Sequence, residues 1–119
     1  MDRILTVLAS VAGVAGVALS ALAAHGPGGP LLDTAARFLL VHAAALLGLA
    51  ALLDGALSPR IAQAAGLVLV LGLALFCGDL IRRAYMGSGL FPLSAPTGGI
   101  LLMAGWALIG VAALVGSRP

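Results

Sequence analysis

The ionisable side chains that could do chemistry in this chain are few, and they lie at or near the edges of apolar segments. They are His25, Arg37, His42, Asp79, Arg82 and Arg83. Ionisable groups within membrane segments often handle ions or protons, and neutral imidazoles can bind transition metals. The set therefore allows a polar site for a proton, an anion or a lipid headgroup, or a metal or haem site. It also allows a structural clamp that ties helix ends to loop carbonyls. We favour the clamp. Two histidines and one aspartate are a thin ligand set for a metal.

The spacing of these residues predicts how they can pair. Asp79 precedes Arg82 by three positions and Arg83 by four, the separations at which charged side chains meet on a helix surface. Arg37 and His42 are five positions apart, which is about 140° around a helix, so they do not share a face. With a helix predicted to start near residue 35, His42 is expected about 10 Å inside it.

The elements that must position these residues are four apolar runs that contain no Asp, Glu, Lys or Arg. The runs are Ile4–Ala24, Phe38–Leu53, Ile61–Gly78 and Gly98–Ser117. Hydrophobic residues make up 62% of the 119 positions and charged residues only 8%, whereas about 25% are charged in a typical soluble domain. The sequence predicts an all-α fold, an integral membrane four-helix bundle with short loops, as a single domain over residues 1–119. Prolines interrupt helices, and they bound the predicted helices at about 3–24, 35–53, 60–83 and 98–116.

The first run also has features of a signal peptide. Arg3 precedes it, and Ala21-Leu22-Ala23 has the small-residue pattern of a cleavage site. At about 1.5 Å per residue, however, the 21 residues of this run extend roughly 31 Å, the thickness of a bilayer core. We expect the run to remain as the first membrane span.

Alternating helix directions gather the ionisable residues at one membrane face. His25, Arg37, Asp79, Arg82 and Arg83 are expected at that face, with His42 deeper in the bilayer. The positive-inside rule does not fix the orientation, because the arginines divide equally between the two sides. They are Arg3, Arg60 and Arg118 against Arg37, Arg82 and Arg83. The signal-like start favours a cytoplasmic location for both termini.

Close contacts between helices are predicted from small residues and from one aromatic residue in mid-span. Small residues spaced by four let helix backbones approach in a membrane, and pairs such as Ala44 with Gly48 and Ala62 with Gly66 have this spacing. Trp106 lies well inside the fourth run, where its indole N–H needs an acceptor if it points inward. The predicted packing residues are Gly16, Gly48, Gly66, Gly98, Gly99, Gly105 and Trp106.

Several segments together resemble a known family. They are Ala23-Ala24-His25-Gly26, Ala36-Arg37 with His42–Leu47, Phe76–Leu80, Pro96–Gly99 and Gly105-Trp106. Their order and spacing along nearly the whole chain are similar to the domain of unknown function 423 family, which includes YgdD-type bacterial proteins and the eukaryotic transmembrane protein 256. The resemblance implies four spans and a location in the bacterial inner membrane, and it supplies no biochemical activity.

The chain departs from that family at two points. The family's usual serines are Cys77 and Asp79 here, and we interpret the acidic residue that the family commonly carries before helix 2 as missing before Arg37. Asp79 then becomes the predicted partner of Arg37.

The sequence predicts a protein without catalysis, metal or cofactor. It has no recognisable Ser-His-Asp pattern, no phosphate-binding loop and no paired acidic residues within a span, and Arg82–Arg83 is too small a basic cluster for nucleic acid. We expect the chain to act as an accessory subunit of a larger membrane complex or as a small homo-oligomer, with the lipid bilayer, other membrane subunits or itself as partners. The alternatives are a proton or small-solute transporter that uses the His/Arg/Asp cluster, and a metal- or haem-binding membrane subunit.

Overall fold

Four α-helices make up the part of the chain that the computed structural model describes, residues 1–116. They are α1 (Asp2–His25), α2 (Gly29–Leu52), α3 (Pro59–Met86) and α4 (Ser94–Leu114). Each is long and apolar enough to cross a membrane. The predicted fold class, an all-α integral membrane four-helix bundle, is confirmed. Arg118, which entered the comparison of arginines on the two sides, lies outside the described residues.

Two helices begin earlier than the prolines predicted. α2 starts at Gly29 rather than near residue 35, and α4 starts at Ser94 rather than near residue 98. Pro30 and Pro96 therefore lie in the first turns of helices, where a missing N–H costs little because those amides have no partner within the helix. Reading these prolines as lying outside the helices was wrong.

The bundle consists of two antiparallel hairpins that meet along their inner helices. α1 packs against α2, α3 packs against α4, and the contact between α2 and α3 joins the two hairpins. The shape is elongated and flattened, with extents of 51 × 27 × 18 Å. The loop between α1 and α2 is tight because Gly28 adopts a positive φ of 76°. A Cβ atom at Gly28 would also lie only 2.8 Å from the Ala84 side chain of α3.

Glycines allow the backbones of α3 and α4 to approach closely. A Cβ atom at Gly98 would lie 2.6 Å from the backbone nitrogen of Phe76, and one at Gly72 would lie 2.9 Å from the carbonyl oxygen of Gly98. A Cβ atom at Gly105 would lie 2.6 Å from the Leu69 side chain. Gly72 was not among the predicted packing residues, although it faces Gly98 directly.

The remaining predicted packing glycines divide into two groups. A Cβ atom at Gly16 would lie 2.7 Å from Leu40, and one at Gly66 would lie 2.9 Å from Leu5. Gly48 and Gly99 have no atom within 4 Å of the Cβ position. For these two glycines, the prediction of a helix contact within one copy of the chain was wrong.

Candidate functional site

The charged residues at the predicted polar face form separate ion pairs, each within its own helix. Arg37 contacts Asp33, with 3.0 Å between Nε and Oδ2, and the two side chains are 78% and 50% exposed. Asp33 is therefore the acidic partner that we interpreted as missing, and the predicted pairing of Arg37 with Asp79 is wrong. Because α2 begins at Gly29, Asp33 lies one turn before Arg37 on the same helix surface.

Asp79 is fully buried near the end of α3 and connects that helix to the following loop. Its Oδ2 accepts a bond of 2.7 Å from Nε of Arg83, and its Oδ1 accepts one of 2.9 Å from the backbone N–H of Leu90. A Cβ atom at Gly89 would collide with this carboxylate. Asp79 therefore pairs with Arg83, four positions later, and not with Arg82, three positions later. Arg82 is exposed. The Asp79 carboxylate thus fixes the middle of the α3–α4 loop, at Leu90.

His25 lies apart from these pairs and from the second histidine. It is the last residue of α1 and is exposed. Gly26, the next residue, donates its backbone N–H to the carbonyl of Leu22 and closes the helix.

His42 lies about 20 Å along α2 from Gly29, at ~1.5 Å per residue, twice the depth predicted. Its side chain is buried, at 4% exposure. Nδ1 lies 2.8 Å from the Phe38 carbonyl oxygen, and Nε2 lies 3.0 Å from Nε1 of Trp106. An indole nitrogen only donates and a carbonyl only accepts. His42 therefore fits the neutral tautomer with its proton on Nδ1, and both ring nitrogens are bonded.

Two aromatic rings, Phe38 and Trp106, contact this imidazole, and a third, Phe76, packs on Phe38. The Phe38 ring stacks on the His42 ring, with 5.9 Å between the ring centroids, and the Trp106 ring meets His42 edge-on at a centroid distance of 5.8 Å. The centroids of the Phe38 and Phe76 rings are 4.4 Å apart. Phe38 and Phe76 were not among the predicted site residues. The signal in the sequence that pointed to this site was Trp106, which lies well inside an apolar run and needs an acceptor for its indole N–H. The sequence did not show which side chain would accept that N–H.

A comparison with family models identifies the family. Residues 19–99 match the model described as protein of unknown function (DUF423). The chain belongs to this family. The match covers more than half of the chain and includes His25, Arg37, His42 and Asp79, and it ends at Gly99, before Trp106. No solved structure matches the chain.

The buried polar groups of this DUF423 protein are satisfied internally. Among the described residues, every buried side-chain nitrogen and oxygen has a hydrogen-bond partner. The buried Cys77 also has one, since its Sγ lies 3.5 Å from the Ala35 carbonyl oxygen and links α3 to α2. In residues 1–116, no three His, Cys, Asp or Glu side chains come close enough to share a metal ion. The main side-chain pairs are His42–Trp106, Asp79–Arg83 and the exposed Asp33–Arg37, and the buried Ser94 hydroxyl donates to the Leu75 carbonyl.

Proposed function

We propose that this DUF423 protein is a non-catalytic membrane subunit that acts through helix contacts, in the bacterial inner membrane and with both termini in the cytoplasm. It would assemble as a small homo-oligomer or as an accessory subunit of a larger membrane complex. The observation that carries the proposal is an unpartnered surface of α2, the α2 outer face. This face consists of Asp33, Arg37, Val41, Ala44, Gly48 and Ala51.

The α2 outer face has the spacing and the residue sizes of a helix-packing surface. From Arg37 to Ala51 its residues recur at intervals of four and three, the repeat by which two helices interlock side by side. Ala44, Gly48 and Ala51 are small and exposed, and Gly48 has open space above it. In a membrane, such residues let a second helix approach closely.

The ion pair at one end of this face also favours contact with a partner helix. The Arg37 side chain is largely exposed and the Asp33 side chain is half exposed, on a helix that can span the membrane. Charged groups in contact with lipid are costly, and they usually face other protein or water. A neighbouring helix would shield the pair and also provide polar contacts for it.

The alternative functions receive less support from the contacts. A proton or solute pathway would need polar groups through the bilayer, but the ion pairs lie toward one face and His42 is bonded on both nitrogens. A metal or haem subunit would need His25 and His42 to act together, but His25 lies apart at the end of α1 and both ring nitrogens of His42 are bonded. These bonds favour a structural role for the polar residues.

The test is photocrosslinking in native membranes from an unnatural residue at Ala44, with a matched probe at Ala107 on α4, which is also exposed. We expect an adduct of defined mass from position 44 and none from position 107. An adduct of twice the chain mass indicates a homo-oligomer, and another defined mass indicates an accessory subunit. Gly48→Leu should abolish the adduct, whereas Gly110→Leu, also at an open glycine, should not. Lipid adducts alone at position 44 would overturn the proposal.

A further inference from the structure

The cavity between α2 and α4, here called the α2/α4 cavity, has features of a ligand site that a packing role does not require. It has a volume of about 380 Å³, within the range of small-molecule sites, about 300–1,000 Å³. Its walls include Phe38, His42, Phe76, Gly99, Met103 and Trp106. Met103 is 67% exposed and Trp106 is 46% exposed, so the cavity opens on the outer surface of α4, a helix that can span a membrane.

We propose that the α2/α4 cavity binds the head ring of a lipid-soluble quinone. The position of the opening requires a ligand that arrives through the bilayer. The walls are almost entirely apolar and carry three aromatic rings, which pack favourably against a flat, uncharged ring. Gly99 leaves open space in the wall that α4 provides, because no atom lies within 4 Å of its Cβ position.

The His42–Trp106 pair provides the polar contacts that distinguish a quinone ring from an acyl chain. The indole N–H of Trp106 is a donor that suits a ring carbonyl, and Nε2 of His42 is an acceptor that suits a ring hydroxyl. In the structure these two groups bond each other over 3.0 Å. The bond from Nδ1 to the Phe38 carbonyl keeps the imidazole in place while a ligand oxygen replaces one member of the pair.

Trp106 is the only tryptophan in the chain, so its fluorescence reports directly on this cavity. The experiment titrates decylubiquinone into the full-length protein in phosphatidylcholine nanodiscs and follows the quenching of Trp106. We expect saturable quenching at a low ratio of quinone to lipid. Gly99→Leu should remove the saturable part because the new side chain fills the cavity, and Gly110→Leu on the same helix should retain it. His42→Phe should strengthen binding, because the oxygens of decylubiquinone only accept, and the Trp106 N–H loses the His42 acceptor that competes with them.

The result that overturns the proposal is quenching that rises linearly with quinone and is equal in wild type and Gly99→Leu. In that case the ring reaches Trp106 from bulk lipid, and the cavity holds only acyl chains. Circular dichroism of each variant shows whether the helices are retained. The proposal is independent of assembly through the α2 outer face, because quinone binding uses the α2/α4 cavity and the crosslinking experiment probes Ala44.

Discussion

Two ion pairs in this protein allow a controlled test of what burial does to a charge. Asp33–Arg37 and Asp79–Arg83 have the same residue types, the same four-residue spacing and similar distances, 3.0 and 2.7 Å. They differ in environment, since the Asp33 side chain is 50% exposed and the Asp79 side chain is fully buried. The perturbation is Asp79→Ala, with Asp33→Ala as its matched control.

The expected magnitude follows from the contacts that each substitution removes. Asp79→Ala leaves Arg83 without its counterion and leaves the Leu90 N–H without its acceptor. Breaking a buried pair from one side costs about 3–5 kcal/mol, but Arg83 is 44% exposed and can turn toward the headgroups, so we expect about 2–4 kcal/mol. Asp33→Ala removes an exposed pair and should cost about 0–1 kcal/mol.

The assay is reversible unfolding in mild detergent, induced by a denaturing detergent and followed by circular dichroism. Hydrogen exchange at the Leu90 amide adds a local measurement. The exchange rate should rise in Asp79→Ala and remain unchanged in Asp33→Ala. Asp79→Asn should lie between wild type and Asp79→Ala, because its side-chain oxygen still accepts the Leu90 bond but carries no charge.

Equal losses of stability for Asp79→Ala and Asp33→Ala would refute the argument from burial. A double-mutant cycle adds a second criterion. Asp79 should show coupling with Arg83 of at least about 0.5 kcal/mol, while Asp79 and Arg37 should be additive. Coupling of Asp79 with Arg37 alone would instead restore the pairing predicted from the sequence.

Three further predictions concern the interior contacts. Trp106→Phe should cost about 1–3 kcal/mol of unfolding free energy, because it leaves the buried acceptor of His42 unbonded; detergent unfolding measures this, and no loss would contradict the hydrogen bond. Gly98→Ala should cost at least about 1–3 kcal/mol, since its new methyl group meets the α3 backbone, and Gly110→Ala should change stability by less than about 0.5 kcal/mol. A membrane-permeant maleimide should label Cys77 only after unfolding, because the thiol is buried, and rapid labelling of the folded protein would show that α2 and α3 separate there.

The sequence determined the elements of this fold and the pairing of residues close to each other on one helix. Four uncharged apolar runs predict four spans, because a bilayer leaves no other way to satisfy the backbone. The spacing of Asp79 to Arg82 and Arg83 likewise predicted a local ion pair, and the structure selects Arg83. The errors came from the helix starts, where Pro30 was read as a boundary. Moving the start of α2 to Gly29 doubled the depth of His42 and made Asp33 a partner for Arg37.

Only the tertiary structure decided which side of each helix faces a neighbour. In a soluble protein the apolar side of a helix marks the core, but in a membrane both the lipid-facing and the inward sides are apolar, so hydrophobicity does not distinguish them. Ala44 with Gly48 and Ala62 with Gly66 have the same spacing, yet the first pair is exposed and the second is buried. The bond between His42 and Trp106, 64 positions apart, likewise depends on helix rotation and register. Backbone approach and the satisfaction of buried polar groups set that rotation, and neither can be read from one helix at a time.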